Sequence, residues 1–232
     1  AYLRDYRINS VFASLNKERV VPMFKFLNYL FPLFLLISLP VHAAENPLFE
    51  KLKEINANPQ LQKAAYDAGK DRAFLCKYCH GVDGNSVKGT IPNLAAQNPA
   101  YLIQQFHLFL KKKRVSKTMN EIVKNLSPED MLNIAIYYSE QRVKPQKPYK
   151  PDLLSQGKEL FESRCFTCHG KDAYGKEELP RIASQPSEYI ITTLSSYNSA
   201  MVKRAETAMS KIARTLEGKD IEAVAAYLTS LK

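Results

Sequence analysis

Apolar positions along this chain fall at helical spacing, and no alternating stretch persists long enough to read as a strand. A helix is predicted from about Pro59, with Asn58 as its cap and proline in the first turn. Asn98-Pro99 opens a second, carrying Tyr101, Leu102, Gln105, Phe106, Phe109 and Leu110. Ser127-Pro128-Glu129-Asp130 opens a third, where Ser127 and Asp130 have the spacing of a capping box. Its apolar face is Leu132, Ile134, Ala135, Ile136 and Tyr138. Further on, Asp152 to Arg164, Ser187 to Tyr197 and Lys219 to Leu231 read the same way. The predicted class is all-α, with the glycines Gly81, Gly84, Gly89, Gly170 and Gly175 gathered in loops.

These helices form two sets because the sequence repeats itself. Gly69-Lys70 matches Gly157-Lys158, and Pro92-Asn93-Leu94 matches Pro180-Arg181-Ile182. Gln97 and Tyr101 match Gln185 and Tyr189, Leu126 matches Leu216, and Asp130 and Tyr137 match Asp220 and Tyr227. Between the copies runs Lys144-Pro145-Gln146-Lys147-Pro148-Tyr149-Lys150-Pro151, too rich in proline for a helix interior and read as an extended linker. The expected layout is a first domain over 44–143, a linker over 144–151 and a second domain over 152–232. Units of this size are small for an independent core, so a bound apolar group is expected to complete each one.

Ahead of them, Met23-Phe24-Lys25 starts a stretch that is almost wholly apolar from 26 to 41 and ends Val41-His42-Ala43-Ala44. A basic start, an apolar run and a small-residue exit are the layout of a secretory signal. The alternative is a retained membrane anchor, although Pro32 and Pro40 interrupt the short run. Residues 1–43 are therefore read as an upstream extension plus a cleavable signal peptide.

The chemistry sits in the repeat. Cys76-Lys77-Tyr78-Cys79-His80-Gly81 recurs as Cys165-Phe166-Thr167-Cys168-His169-Gly170, and these boxes use all four cysteines of the chain. C-x-x-C-H is the attachment signature of c-type haem. Two thiols three positions apart can each add across one vinyl group, which places the next residue, histidine, beneath the iron. A lone C-x-x-C could equally be a redox dithiol or half a zinc site. Two copies, each followed by His-Gly, point to two covalent haem c groups, held by Cys76, Cys79, Cys165 and Cys168 with His80 and His169 on iron. Their attachment in bacteria takes place outside the cytoplasmic membrane, which agrees with an exported, periplasmic protein.

The sixth ligand decides what such an iron does. An open position admits oxygen or peroxide, whereas a methionine thioether favours Fe(II) and electron transfer. Of four histidines, His42 lies in the N-terminal segment, two are in the boxes and only His107 is spare, so two bis-His haems are impossible within one chain. Met119 and Met209 stand at matching places after the boxes, each followed seven residues later by a leucine. They are the expected distal ligands, with Met201 a rival in the second repeat. Met131 is read as core filler, and His107 as a packed or edge histidine. Pro92 and Pro180 follow the boxes, where a backbone carbonyl commonly orients a ligating histidine.

Charge adds a possible surface. The formal net charge is +10 over 232 residues. From Ala44 to Pro148 there are 16 Lys and Arg against 10 Asp and Glu, but from Tyr149 onward 12 against 11. A basic first half suits an acidic partner or a membrane surface. Its densest run, Lys111-Lys112-Lys113-Arg114, reads equally well as a solvated helix end complementing the helix dipole.

Taken together, His80 to Gly84, Pro92-Asn93-Leu94-Ala95 with Gln97, Tyr101-Leu102, Gln105, Phe109, Met119, Leu126-Ser127 with Asp130, and Tyr137-Tyr138 resemble the dihaem cytochrome c4 family. The resemblance implies two class I cytochrome c domains with His/Met ligation, related by pseudo-twofold symmetry. It also implies a periplasmic carrier, soluble or loosely membrane-associated, passing electrons towards a terminal oxidase. Its donor would be a quinol-oxidising complex or a dehydrogenase. The chain departs from the family at Arg181-Ile182, where Asn-Leu is usual, at Lys171 to Gly175, and at Lys112-Lys113-Arg114, where a glycine is common. The expected function is electron transfer with no substrate chemistry, no small-molecule substrate and no nucleic acid. The alternatives are an electron-accepting subunit of a periplasmic dehydrogenase complex and a dihaem peroxidase.

Overall fold

The computed structural model describes residues 47–198 and 207–232. The stretch over 1–43, read as an extension plus signal peptide, and Met201 lie outside them. Among the described residues there is no strand, only one isolated bridge between Lys176 and Leu179, and the fold is all-α.

The first half contains α1 (Pro47–Asn56), α2 (Pro59–Arg72), α3 (Lys77–His80), α4 (Pro99–Leu110), α5 (Lys117–Val123) and α6 (Pro128–Ser139). The second contains a 3₁₀ turn (Pro151–Leu153), then α7 (Leu154–Arg164), α8 (Phe166–His169), α9 (Ser187–Asn198), α10 (Ala208–Ala213) and α11 (Gly218–Ser230). Element for element, α2 to α6 correspond to α7 to α11. The caps explain where several of these begin. Asn58 Oδ1 accepts from the backbone of Gln60 and Leu61. At α6, Asp130 N–H donates to Ser127 Oγ at 3.0 Å while Asp130 Oδ2 accepts from Ser127 N–H at 2.9 Å. α1 is an element that periodicity could have shown, since Leu48, Leu52 and Ile55 lie at helical spacing and are buried.

Two hydrophobic clusters result. One gathers Leu48, Leu52, Ile103, Phe106, Met131, Leu132 and Ile136, and the other Phe161, Ile190, Val224, Ala225 and Leu228. Each rests on a close crossing of its first long helix with its last. A Cβ on Gly69 would overlap the carbonyl of Asn133 and lie 2.9 Å from Tyr137 Cβ. One on Gly157 would overlap the carbonyl of Ala223 and lie 2.8 Å from Tyr227 Cβ. Only glycine lets these backbones approach so far.

The loop after each box folds back by the same device. Leu94 and Ala95 N–H donate to the Gly84 carbonyl, and Ile182 and Ala183 N–H donate to that of Ala173. Gly84 has φ 75° and Ala173 has φ 61°. The Asp-Gly pattern that shifts in the second repeat is thus a turn kept without its glycine, at the steric cost of a left-handed alanine.

The repeats meet through these loops. Asn93 N–H donates to Gln185 Oε1 at 2.9 Å, and Gln185 Nε2 donates to the Asn93 carbonyl at 2.9 Å. Asn93 Nδ2 donates to the Ser184 carbonyl at 2.8 Å. Asn98 does not cap α4 with its side chain; its Nδ2 donates across the interface to the carbonyls of Tyr174 and Leu179. The proline-rich connection is irregular up to Lys150 and is tied to the first box loop, where Lys144 N–H donates to Asn85 Oδ1 at 2.8 Å.

Candidate functional site

Both histidines of the boxes are presented by one-turn helices that follow directly from the thiols. His80 and His169 are buried, 8% and 5% exposed. His80 Nδ1 lies 2.9 Å from the Pro92 carbonyl and His169 Nδ1 lies 3.0 Å from that of Pro180. A carbonyl only accepts, so each Nδ1 carries its proton and each Nε2 keeps its lone pair free for a metal. Burial pulls both imidazoles below the ordinary histidine range, which favours the neutral, ligating form.

The four thiols flank these rings. Burial pushes the Cys76 thiol up, and that of Cys165 to about 11. Neither resembles the thiolate-rich environment of a reactive dithiol. Among the described residues no three or more His, Cys, Asp or Glu side chains converge as a metal cluster.

Cys76, Cys79, His80, Cys165, Cys168 and His169 all border one continuous cavity of about 670 Å³. Met119 and Met209 lie on its wall, each half-buried. Met119 is placed by Ser116, which caps α5 and accepts from Met119 N–H. Asn120 braces the same loop, accepting from Ser116 N–H and donating to the Phe109 carbonyl. In the second repeat Thr207 caps α10 beside Met209. Met131 sits in the core at 1% exposure. His107 is half-buried on α4 and does not border the cavity.

The basic run divides. Lys111, Lys112 and Lys113 are exposed, with Lys112 at φ 52°, in the left-handed region. Arg114 turns inward to the cavity wall. Its guanidinium lies 4.6 Å from the centre of the Phe109 ring and donates to Gln105 Oε1 at 2.7 Å and to Tyr189 Oη at 3.2 Å. Two further polar side chains on the wall, Tyr138 and Arg181, were not expected there as site residues. Tyr138 Oη and Arg181 Nε are buried and meet no partner among the described residues. Arg181 had a visible signal, a charge at a place where the repeat otherwise has a neutral side chain.

A largely apolar cavity with two pre-oriented imidazoles and orphaned donors at its wall fits a large apolar ring with a polar edge. Haem c has that form, and the residues present suit it. Across the chain, cytochrome c4 of Pseudomonas aeruginosa is 32% identical over 185 residues, 74% of this chain and 92% of that protein. The chain belongs to the cytochrome c4 family. The crystal structure of reduced cytochrome c4 from Pseudomonas stutzeri matches with a TM-score of 0.65 at 28% identity, covering 72% of this chain and 98% of that one. A family model described as Cytochrome c matches residues 154–232. The FixP subunit of a cbb3-type cytochrome c oxidase from Sinorhizobium medicae is 32% identical over 146 residues, 58% of this chain and 49% of that subunit. As a cytochrome c4 family member, the chain binds two haem c groups covalently and is an electron-transfer cytochrome.

Proposed function

We propose that this chain is a periplasmic carrier of single electrons, with one haem held by each repeat. Cys76 and Cys79 tether the first and Cys165 and Cys168 the second, with His80 and Met119, and His169 and Met209, as the two axial pairs. The domains follow as 44–143 and 152–232, joined by 144–151, behind a cleaved export segment over 1–43. The observation that carries this reading is the twofold recurrence of one arrangement: a buried box histidine oriented by a proline carbonyl, and a methionine on the same cavity wall.

Bound haem c supplies a one-electron Fe(III)/Fe(II) couple. The chain's own groups adapt it to carrying. Each proline carbonyl fixes its imidazole and raises its basicity towards iron. Each methionine thioether would serve as the second iron ligand, which favours electron transfer over peroxide chemistry. The apolar wall would exclude water from the bound rings, and both boxes border the one cavity. Likeness to an oxidase subunit supports a redox-protein partner, with a terminal oxidase as acceptor and a quinol-oxidising complex or dehydrogenase as donor. Among the described residues no helix is long and apolar enough to cross a membrane.

The test is the exported protein made with its haem-attachment machinery. Its mass should equal residues 44–232 plus two haems, and the oxidised form should show the weak red charge-transfer band of Met-ligated haem. Met119→Ala and Met209→Ala should each remove about half of that band. One haem per chain would overturn the reading, and loss of the band in Met201→Ala would overturn the Met209 assignment.

A further inference from the structure

Where the first repeat has Asn93, the second has Arg181. The side chain is 2% exposed. Nη2 donates across the interface to the Ala95 carbonyl at 2.8 Å, and Nη1 donates to the Ala183 carbonyl. Nε is buried with no acceptor, and no carboxylate pairs with the guanidinium among the described residues. Two carbonyl dipoles do not neutralise a full charge, and an uncompensated buried cation is destabilising. A buried arginine is retained where an anion arrives to meet it, and its planar fork is shaped for a carboxylate.

Arg181 borders the cavity. The group this cavity takes carries two propionate carboxylates on an otherwise apolar ring. Pro180, the residue before Arg181, supplies the carbonyl that holds His169, so the Arg181 backbone stands beside the second box while its guanidinium spans the interface between Ala183 and Ala95. Asn93, by contrast, spends its amide on the Ser184 carbonyl.

We propose that Arg181 is the counter-ion of a propionate on the second haem and raises that haem's reduction potential. This rests on the second box carrying a haem as proposed above. Reduction takes positive charge from the iron, so a fixed cation nearby favours the reduced form. Neutralising the propionate removes an opposing negative charge and acts in the same direction. The Nε donor is satisfied at the same time. At this place the first repeat holds Asn93 and no cation; the guanidinium it sets on the cavity wall is Arg114, which a change at Arg181 leaves in place.

The experiment is a potentiometric titration of the full, haem-loaded protein. The signals of the two haems are told apart by the set that Met119→Ala alters. Arg181→Asn, which installs the residue the first repeat already uses, should lower the second potential so that a single electron shifts about tenfold towards the first haem. That is about 59 mV for a one-electron couple. Arg181→Lys keeps the charge and should retain more than half of the difference. Arg181→Gln, closer in volume to arginine, should follow Arg181→Asn and serves if the smaller side chain impairs folding. The proposal is overturned by unmoved potentials in a two-haem variant, by a shift confined to the first haem, or by equal shifts in the Lys and Asn variants. A protein carrying one haem would instead defeat the reading beneath it.

Discussion

The Gln97 side-chain amide clasps the Arg181 backbone: Arg181 N–H donates to Gln97 Oε1 at 2.7 Å, and Gln97 Nε2 donates to the Arg181 carbonyl at 2.9 Å. Gln185 and Asn93 do the same in mirror fashion. All four are buried. Truncating either glutamine strands a buried N–H and a buried carbonyl, each costing about 1–3 kcal/mol. Gln97→Ala and Gln185→Ala should each destabilise the haem-loaded protein by about 2 kcal/mol in denaturant unfolding. A loss below about 0.5 kcal/mol would mean that water replaces the lost amide.

Gly69→Ala and Gly157→Ala should each force one helix crossing apart, because the new methyl overlaps a carbonyl that is part of a helix backbone. Overpacking of this kind costs about 1–3 kcal/mol. Thermal unfolding should show the loss in both variants, while Gly218→Ala, whose Cβ would meet nothing within 4 Å, should leave stability unchanged or improve it.

These glycines show what the sequence could carry and what it could not. Their recurrence at matching places was visible, but the reason for it, contact with a helix some sixty residues away, was not. Caps such as Asn58 and Ser127 were legible because their partners lie two or three residues on. The boxes were legible because thioether attachment demands fixed spacing. Arg114 stood in a run that reads as solvated charge, and only the turn at Lys112 sends it back to the cavity. The interface glutamines matched as a pair, yet side chain to backbone bonds between repeats have no local signature. α1 has one, in Leu48, Leu52 and Ile55, but it lies ahead of the repeated part and has no second copy to mark it.

The exposed Lys111, Lys112 and Lys113 should steer docking. Surface charge acts on encounter rates and is screened within about 8 Å at physiological ionic strength. Replacing all three with glutamine should slow electron transfer with an acidic redox protein at low salt and flatten its salt dependence. Both haem spectra should stay intact, since Arg114 is left in place. An unchanged rate and slope would make the cluster a solvated helix end.

Asp130 couples α6 to pH. Burial alone would raise its pKa, but the Ser127 N–H and the Arg72 guanidinium, 3.0 Å away, hold it below the usual carboxylate value. A depressed folded value means the stabilisation is complete above the unfolded pKa of about 3.9 and is lost as pH falls through the folded one. Asp130→Ala should cost about 1 kcal/mol at pH 7, as cap losses do. The gap to the unaltered protein should narrow in urea melts at about pH 3. A gap of the same size at both pH values would show that the charge is not its source.

The mirrored glutamine pairs make the contact between repeats isologous, the geometry of a twofold dimer whose two subunits have been strung on one thread. The short connection sets a local concentration in the millimolar range, so the faces need far less intrinsic affinity than two separate chains would. It also frees them from identity. In a dimer of equal chains every substitution is made twice, and an arginine facing the axis would meet its own copy. Strung together, one half can hold Arg181 while the other keeps Asn93, and a symmetric frame acquires a direction.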